Sequence, residues 1–552
     1  MSALNIATRA LTTNQAALQV IGHNIANANT EGYTRQRVEL QSVPGQQLGS
    51  AYFGKGVQIE TVARVGYDAF LTREANASRA MAAADEVRLR YLKSVESLFP
   101  LDEGSLGRLL NDALNSWVDV ANSPGDSAAR QVVLDRFDAL AARLRDTSQR
   151  ITDIAVGARL QASEVAKEIN RLASAIAQVN DAIARTQGTG ASPNDLLDQR
   201  DRLLARLNEQ VQVTTQRADD GTLTVFVAGS LPLVLGNMAA ELRVERADID
   251  GDRQIKLQFL QGSSAYDVPT DFLGAGKLKG LFDFVNRDVI QTQAELGRMA
   301  LVIGSRVNAQ HVAGRDLDGN PGVALFAFDP PAVLTNSSTA TLAASVSSAT
   351  LGQLVATDYQ ITVVASGFLI RRTSDGYYYN GSAWGPSQTP AGALPSTLGG
   401  INLTLGGAAA VGDQFWIRTA ADAAASLDVV ITQPRQLAAA AAGTSNPRFD
   451  AGNAQAMLAL RDEMLFDGNV RLSEGYVAVF SNLASRVNEA QTRATFSKAQ
   501  ADDAEQRRAN LAGVNLDEEA ARLLQFQQAY QASAKYLQTV QSIFDTLIAT
   551  FR

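Results

Sequence analysis

The chain contains no cysteine and only two histidines, His23 and His311. Without cysteine there can be no disulfide, zinc–thiolate site, iron–sulfur cluster or thiol nucleophile. Two imidazoles are too few for a zinc enzyme with several histidine ligands, and we interpret both as structural residues. We therefore expect no metal site and no cofactor.

Long apolar runs and an excess of basic residues are also absent. No apolar run reaches membrane-spanning length, and polar residues interrupt the opening MSALNIATRALTTNQ, unlike the core of a secretory signal. The chain carries 49 Lys and Arg against 57 Asp and Glu, whereas nucleic-acid binding depends on an excess of cations near phosphates. We expect a soluble, uncleaved chain that neither inserts into a membrane nor binds nucleic acid.

Complete catalytic and ligand-binding motifs are missing as well. Residues 248–252 and 316–320 are acidic but lack the glycine and glutamate that a helix-loop-helix calcium site requires, so we interpret them as tight turns. GAGKLKG (274–280) lacks the first glycine of a phosphate loop, and Leu278 stands where serine or threonine would hold magnesium. We predict a turn there, before a helix that starts near Leu281. These gaps argue against an enzyme.

The sequence does contain helical periodicity at both of its ends. At 552 residues the chain is too long for a single core, and each end repeats apolar residues every seven positions, as a coiled-coil seam does. The first seam comprises Leu4, Leu11, Leu18 and Ile25 with Ala7, Asn14 and Ile21 beside it; the last comprises Leu516, Leu523, Tyr530, Leu537, Phe544 and Phe551, with Phe526 in a companion position. We predict that the two terminal helices pair.

The middle of the chain predicts long helices and an inserted β domain. Residues 131–186 lack proline and would form a helix of about 80 Å, while 222–237 and 241–260 alternate like hairpins. The predicted fold is mainly α with an inserted β domain, arranged as an elongated rod. Its predicted parts are a terminal helical domain (1–65 and 514–552), a long-helix body with attached hairpins (66–329 and 433–513) and a β-rich outer domain (330–432).

The segment NIANANTEGYTRQRVEL (24–40) follows the first helix and contains no catalytic group. Asn27 and Asn29 can end the helix in left-handed conformations, and Gly32 permits a further positive φ. Tyr33 would anchor the turn, while Arg35 offers a forked donor to carboxylates on a neighbouring subunit or on the C-terminal helix. We interpret the segment as a rigid corner that contacts subunits; the alternative is an ordinary helix stop followed by a surface loop.

The two ends together resemble the axial proteins of the bacterial flagellum. The resemblance rests on NIANANTEGYTRQ after an amphipathic helix and on VNLDEEAARLLQFQQAYQASAKYLQTVQSIFDTLI near the other end. Residues 192–213 and 308–326 are similar to the hook-associated members of that family, which stand where hook and filament join. The 330–432 segment carries no signature.

This resemblance implies a structural, non-catalytic protein that polymerises at the distal end of the flagellar hook. Such proteins pass unfolded through the flagellar type III export apparatus without a cleaved signal and lie outside the cell. The implied partners are further copies of the chain, the hook protein, a second junction protein on the filament side and a cytoplasmic chaperone on the C-terminal helix. The residues expected at subunit contacts are those of the two seams together with Asn27, Asn29, Gly32, Tyr33 and Arg35.

Two alternatives remain open from the sequence. Another axial protein of hook, rod or filament type would share both ends. A secreted carbohydrate-active enzyme would place its groove in the β insert, lined by Trp384, Trp416 and Tyr377–Tyr379, with Asp375 and Asp413 as the carboxylate pair.

Overall fold

The computed structural model describes residues 2–30, 32–48, 51–102, 104–188 and 192–550. The helices are α1 (Ser2–Ala26), α2 (Ala69–Glu96), α3 (Leu106–Asn115), α4 (Trp117–Asn122), α5 (Ser127–Gln187), α6 (Asn194–Gln210), α7 (Lys277–Asp283), α8 (Ile290–Val312), α9 (Ala423–Ser426), α10 (Gly452–Ala459), α11 (Gly475–Ala512) and α12 (Leu516–Thr550). Among the described residues, none of these helices is both long enough and apolar enough to cross a lipid bilayer. Helices therefore begin and end the described chain.

The strands lie in three groups along the chain. The first group is β1 (Gln36–Ser42), β2 (Gln46–Leu48), β3 (Ala51–Phe53) and β4 (Val57–Arg64). The second is β5 (Val213–Arg217), β6 (Leu223–Val227), β7 (Leu231–Leu235), β8 (Met238–Ala239), β9 (Glu241–Arg246), β10 (Ile255–Gln261) and β11 (Ser264–Val268). The third is β12 (Gly314–Arg315), β13 (Phe326–Ala327), β14 (Ala332–Thr335), β15 (Ala340–Ser345), β16 (Tyr359–Val364), β17 (Gly367–Arg372), β18 (Tyr378–Tyr379), β19 (Trp384–Gly385), β20 (Thr397–Leu398), β21 (Ile401–Gly407), β22 (Gln414–Arg418), β23 (Asp428–Val429), β24 (Ala440–Ala441), β25 (Met464–Phe466) and β26 (Val470–Arg471).

The first and last helices pack against each other in antiparallel orientation. Asn14 Nδ2 donates to Ser533 Oγ at 3.1 Å, and Asn24 Nδ2 donates to Glu519 Oε2 at 2.9 Å. Residue numbers thus rise along α1 while they fall along α12. The predicted pairing of the terminal helices is confirmed within one chain.

The body is built around α5, whose 61 residues extend for about 90 Å. Its start is capped by Asp126, whose side chain accepts from Ala128 N at 2.8 Å, and Gly157 has open space beside it and does not interrupt the helix. Helices α2 and α11 pack together along their length, and α6, α7 and α8 pack between them and α5. The continuous helix predicted over 131–186 is confirmed.

The second group of strands forms the two predicted hairpin regions. Strands β5-β6-β7-β8 make a four-stranded antiparallel sheet, and β11-β10-β9 make a three-stranded one. Side chains from both sheets are continuous with the core along α5, including Val225, Leu233 and Leu257. The helix predicted to start near Leu281 begins four residues earlier, at Lys277 within GAGKLKG, because Gly276 takes a positive φ of 101° and ends the turn there.

The inserted β region is formed by a six-stranded sheet in the order β14-β22-β16-β17-β18-β19 and a three-stranded sheet β15-β21-β20. Its two connections to the body lie side by side, because β13 pairs with β23. After β22 the chain returns to the helices through α9, where Ala423, Ala424 and Leu427 are fully buried. The β-rich middle predicted from composition is confirmed.

A buried ionic cluster joins this β region to the body. The turn at Asp250, with φ 62°, directs its carboxylate toward Arg253 at 2.9 Å and Arg418 Nε at 2.9 Å. Arg253 also donates to Asp358, which is wholly buried at the start of β16. Burial raises the pKa of Asp358, and the charge of Arg253 opposes that shift. The predicted tight turn at 248–252 thus also supplies a charged contact between the body and the β region.

Candidate functional site

The corner after α1 is organised by Asn24, which is almost fully buried. Its Oδ1 accepts from Tyr33 Oη at 2.8 Å and from Gln36 N at 3.0 Å. Its Nδ2 donates to Gln36 O at 2.8 Å and to Glu519 Oε2 at 2.9 Å. One side chain therefore fixes the end of α1, the start of β1 and the first turn of α12. Burial, followed by the charges of Asp198, Asp195 and Glu519, raises the pKa of Tyr33.

The expected left-handed conformations of Asn27 and Asn29 are wrong. Neither residue has a positive φ. The helix ends instead through overlapping turns, in which Asn27 Nδ2 donates to His23 O at 3.0 Å and Thr30 N donates to Asn27 O at 2.9 Å. The amide side chain satisfies a terminal carbonyl, so no backbone reversal is needed at either asparagine.

The positive φ predicted for Gly32 is confirmed at 74°. A second constraint acts there, because a Cβ on Gly32 would lie 2.6 Å from Arg202 Cγ. The corner therefore needs glycine both for its backbone angle and for the close approach of α6.

Arg35 binds the C-terminal helix of the same chain, which was one of its two predicted partners. Its Nη1 lies 2.7 Å from Glu518 Oε2, and its backbone N donates to Ala512 O at 3.0 Å. The side chain thus ties the corner to the junction between α11 and α12. Whether Arg35 also meets a neighbouring copy stays a prediction.

Helix α6 supplies the acidic half of the corner, and sequence reasoning missed this role. Asp198 accepts from Thr34 N at 3.2 Å and from Arg64 Nη1 at 2.9 Å, Asp195 accepts from Gln36 Nε2 at 3.2 Å, and Asp201 accepts from Arg64 Nη1 at 2.7 Å. Burial raises the pKa of Asp201, and Arg64 opposes the shift. The signal was available in the sequence, because acids at 195, 198 and 201 occupy one face of a helix.

The predicted seam residues are placed unevenly in the helix pair. Leu11 and Leu18 on α1, and Leu523, Phe526, Tyr530 and Leu537 on α12, are half-buried. Leu4 is 40% exposed, Leu516 is 50% exposed, and Ile25 is also exposed. The deepest apolar positions on α1 are the companions Ala7 and Ile21, together with Ala17. The seam predicted on α1 therefore lies to one side of the face that is buried in the structure. Phe551, the last residue of the other predicted seam, lies outside the described residues.

The far end of α12 presents an apolar surface to solvent. Every residue from 541 to 550 is exposed, and Phe544 is 52% exposed. Ile543, Leu547 and Ile548 lie on the same stretch. Helix α1 has 25 residues against 35 in α12, so it is too short to cover the whole of its partner.

Most of the residues proposed for a sugar groove pack in the core of the β region or form hydrogen bonds and ion pairs within it. Trp416 is buried in the core, and Trp384 packs against Tyr359 and Tyr379. Asp375 pairs with Arg372. Asp413 Oδ2 accepts from Ser337 Oγ at 2.7 Å and from Ala410 N at 2.9 Å, which holds a turn. These contacts give Trp384, Trp416, Tyr379, Asp375 and Asp413 structural roles, whereas Tyr377 is exposed.

Comparisons with known proteins agree across the chain. Residues 92–326 match the family described as "Flagellar hook-associated protein FlgK helical domain". Residues 4–34 match "Flagella basal body rod protein", and 505–550 match "Flagellar basal body rod FlgEFG protein C-terminal". The two matched ends include α1 and α12, the helices that pair in the structure.

Relatives extend the match to full length. The chain is 30% identical over 558 residues to flagellar hook-associated protein 1 of Salmonella typhimurium, and 31% identical over 563 residues to that of Escherichia coli, covering 99% of both chains in each case. The structure of the flagellar hook junction protein FlgK from Burkholderia pseudomallei shares the fold, with a TM-score of 0.70 at 20% identity over 79% of this chain and 99% of that one. This chain belongs to the flagellar hook-associated protein 1 family.

Proposed function

We propose that this chain is a structural, non-catalytic subunit that polymerises at the distal end of the flagellar hook and joins the hook to the filament. The names of its full-length relatives and of its structural neighbour support this role. The rod-protein models match the two ends, whereas the FlgK model matches residues 92–326, so the body of the chain favours the hook-associated role over another axial part.

The observation that carries the proposal is the incomplete burial of the terminal helix pair. Pairing α1 with α12 fixes their orientation but leaves Leu4, Leu516, Ile543, Phe544 and Leu547 exposed. Apolar surface of this kind is covered when neighbouring copies pack together, which removes it from water. The paired termini are thus suited to form the inner layer of an assembly of many copies.

The remaining domains would extend outward from that layer as an elongated rod. The terminal domain (1–65 and 514–552) forms coiled-coil contacts between copies through α1 and α12. The long-helix body (66–329 and 433–513) surrounds it, and the β domain (330–432) is outermost. One face of the ring of subunits meets the hook protein, and the other meets the second junction protein on the filament side. The seam and corner residues predicted from the sequence provide the contacts.

Assembly outside the cell requires export. The chain passes unfolded through the flagellar type III apparatus without a cleaved signal, and a cytoplasmic chaperone covers the C-terminal helix until then. The exposed apolar side chains of α12 support a chaperone contact, because such a surface would otherwise promote premature association.

Gold labelling tests the position of the protein. An epitope inserted after Gly392, in an exposed loop of the β region, should place label only at the boundary between hook and filament. Label along the filament would favour a filament-type protein, and label along the hook or rod would favour those alternatives.

A further inference from the structure

A cavity of about 190 Å³ lies where the corner meets α2, α6 and α11. Its walls include Gly32, Tyr67, Arg79, Arg202 and Arg206. Arg508, Asp201, Glu209 and Glu505 complete its charged lining. The cavity therefore combines four arginines with three acids directly beside the segment that redirects the chain.

The acids of this cavity already have partners within the chain. Asp201 binds Arg64 at 2.7 Å, and Glu505 binds Arg508 at 2.7 Å. Glu209 lies 4.0 Å from Arg79 and 3.8 Å from Lys277. Each of the three carboxylates that line the cavity thus already lies near a cation other than Arg202 or Arg206.

Two of the arginines have no such partner. Across the described part of the chain, neither Arg202 nor Arg206 forms an ion pair with an Asp or Glu. Arg206 is exposed, and after the hydrogen bond from Arg171 its charge is a minor cause of the lowered pKa of Glu168. They stand four residues apart on α6, so they face the same side of the helix and repel each other. Like charges in this arrangement cost a helix stability unless an anion lies between them.

Arg202 is also held in place by the corner. Its side chain is half-buried, and its Cγ occupies the space that a Cβ on Gly32 would need. The aliphatic part of the Arg202 side chain therefore packs against Gly32, while its guanidinium group lines the cavity. Keeping an unpaired guanidinium partly out of water is unfavourable unless a partner arrives.

We propose that this cavity receives an acidic side chain of a second copy of the chain, with Arg202 and Arg206 as its cationic partners. The inference rests on the proposed assembly of copies. Each copy has 57 acidic against 49 basic residues, an excess of 8, so a second copy offers more carboxylates than cations to two unpaired arginines. Tyr67 lines the cavity and is exposed, and the exposed apolar residues Phe70 and Leu511 each follow a lining residue, Tyr67 and Arg508, by three positions, as expected for a protein contact and not for a free ion.

The first test compares stability with assembly in the full-length protein. The double variant Arg202→Gln, Arg206→Gln removes the unpaired charges, and Arg136→Gln is the control, because Arg136 is an exposed arginine on α5. Binding is measured on hooks isolated from cells that lack the protein. The double variant should unfold at the same or higher urea concentration than the wild type yet occupy hooks about tenfold less, whereas Arg136→Gln should change neither.

The other possible outcomes distinguish failure of the proposed function from failure of the present inference. Failure of the wild type to bind hooks would overturn the proposed function itself. Wild-type binding matched by the double variant would overturn only the present inference, and so would clear destabilisation of the double variant, which would indicate an internal structural role. Saturable binding of inorganic phosphate by the monomer, with hook occupancy unchanged in the double variant, would assign the cavity to a free anion and overturn the inference.

Cross-linking identifies the occupant directly. The chain has no cysteine, so Ala205→Cys, which lines the cavity, can carry a single photoreactive benzophenone. Irradiation of the assembled protein should join two copies, with the adduct beside an Asp or Glu. Adducts confined to the hook protein would contradict a second copy as the partner.

Discussion

Individual side chains at the corner show why a short polar segment can control the course of a long chain. Asn24 uses both ends of its amide to hold Tyr33, Gln36 and Glu519. Gly32 provides a positive φ and space for Arg202. The need for glycine was predictable from residue type, whereas the hub role of Asn24 was not, because its partner Glu519 is 495 residues away in sequence.

Replacing Gly32 should harm assembly more than export. Gly32→Val requires a φ of 74° that costs a β-branched residue about 1–3 kcal/mol, and its side chain would also collide with Arg202. Export handles an unfolded chain, so secreted protein should stay near the wild-type amount while filament counts fall. Gly157→Ala is the control, since open space surrounds that helical glycine and alanine should leave filaments intact. Normal filaments on Gly32→Val cells would contradict the role of the corner.

His311 should make the body less stable in mild acid. Its ring is buried, Nε2 accepts from Ala438 N at 2.8 Å, and burial lowers its pKa from 6.5 to about 4. Between those values the unfolded chain binds a proton that the folded chain does not, so stability falls as pH drops from about 6.5 to 4.

The expected loss between pH 7 and pH 5 is about 2 kcal/mol, measured by urea unfolding. His311→Gln should weaken this pH dependence, and His23→Gln, which changes the only other histidine, should retain it. An unchanged slope in His311→Gln would show that another group is responsible.

Helices and strands differ in how far the sequence predicts their contacts. The period of α1, α5 and α12 follows from apolar spacing, and the hairpins follow from alternation and turn residues. The burial of each seam residue cannot be predicted from apolar spacing, because it depends on how α12 is rotated against α1. The ion pair between Arg253 and Asp358 could not be predicted either, since the two residues are 105 positions apart. Arginine and aspartate are residue types that usually lie at the surface, so neither gives a sign of burial.

Excision of the β region should be tolerated only if α9 is kept. Joining Asp329 to Ala421 through a short flexible linker retains Ala423, Ala424 and Leu427 on the body, and Asp329 N already lies 2.8 Å from Ser426 Oγ. The cut removes Asp358 and Arg418 together, which leaves the Asp250–Arg253 pair intact.

The longer cut from Phe328 to Arg435 removes that buried segment and should lower the melting temperature of the body by several degrees. Thermal unfolding and filament counts check both variants. Equal stability of the two would show that α9 contributes nothing to the body.

For the chain as a whole, the ends carried most of the predictable information about function. The segments NIANANTEGYTRQ and VNLDEEAARLLQFQQAYQASAKYLQTVQSIFDTLI resemble those of flagellar axial proteins, and full-length relatives place the chain in the hook-associated protein 1 family. The β region gave no such information, because its aromatic and acidic residues serve its own core and turns.

Electron microscopy of cells that lack this protein tests the junction role most directly. We expect complete hooks that bear no filaments, with filaments restored when the wild-type chain is supplied. Filaments of normal number on the deletion cells, or the absence of hooks, would contradict a subunit that joins one to the other.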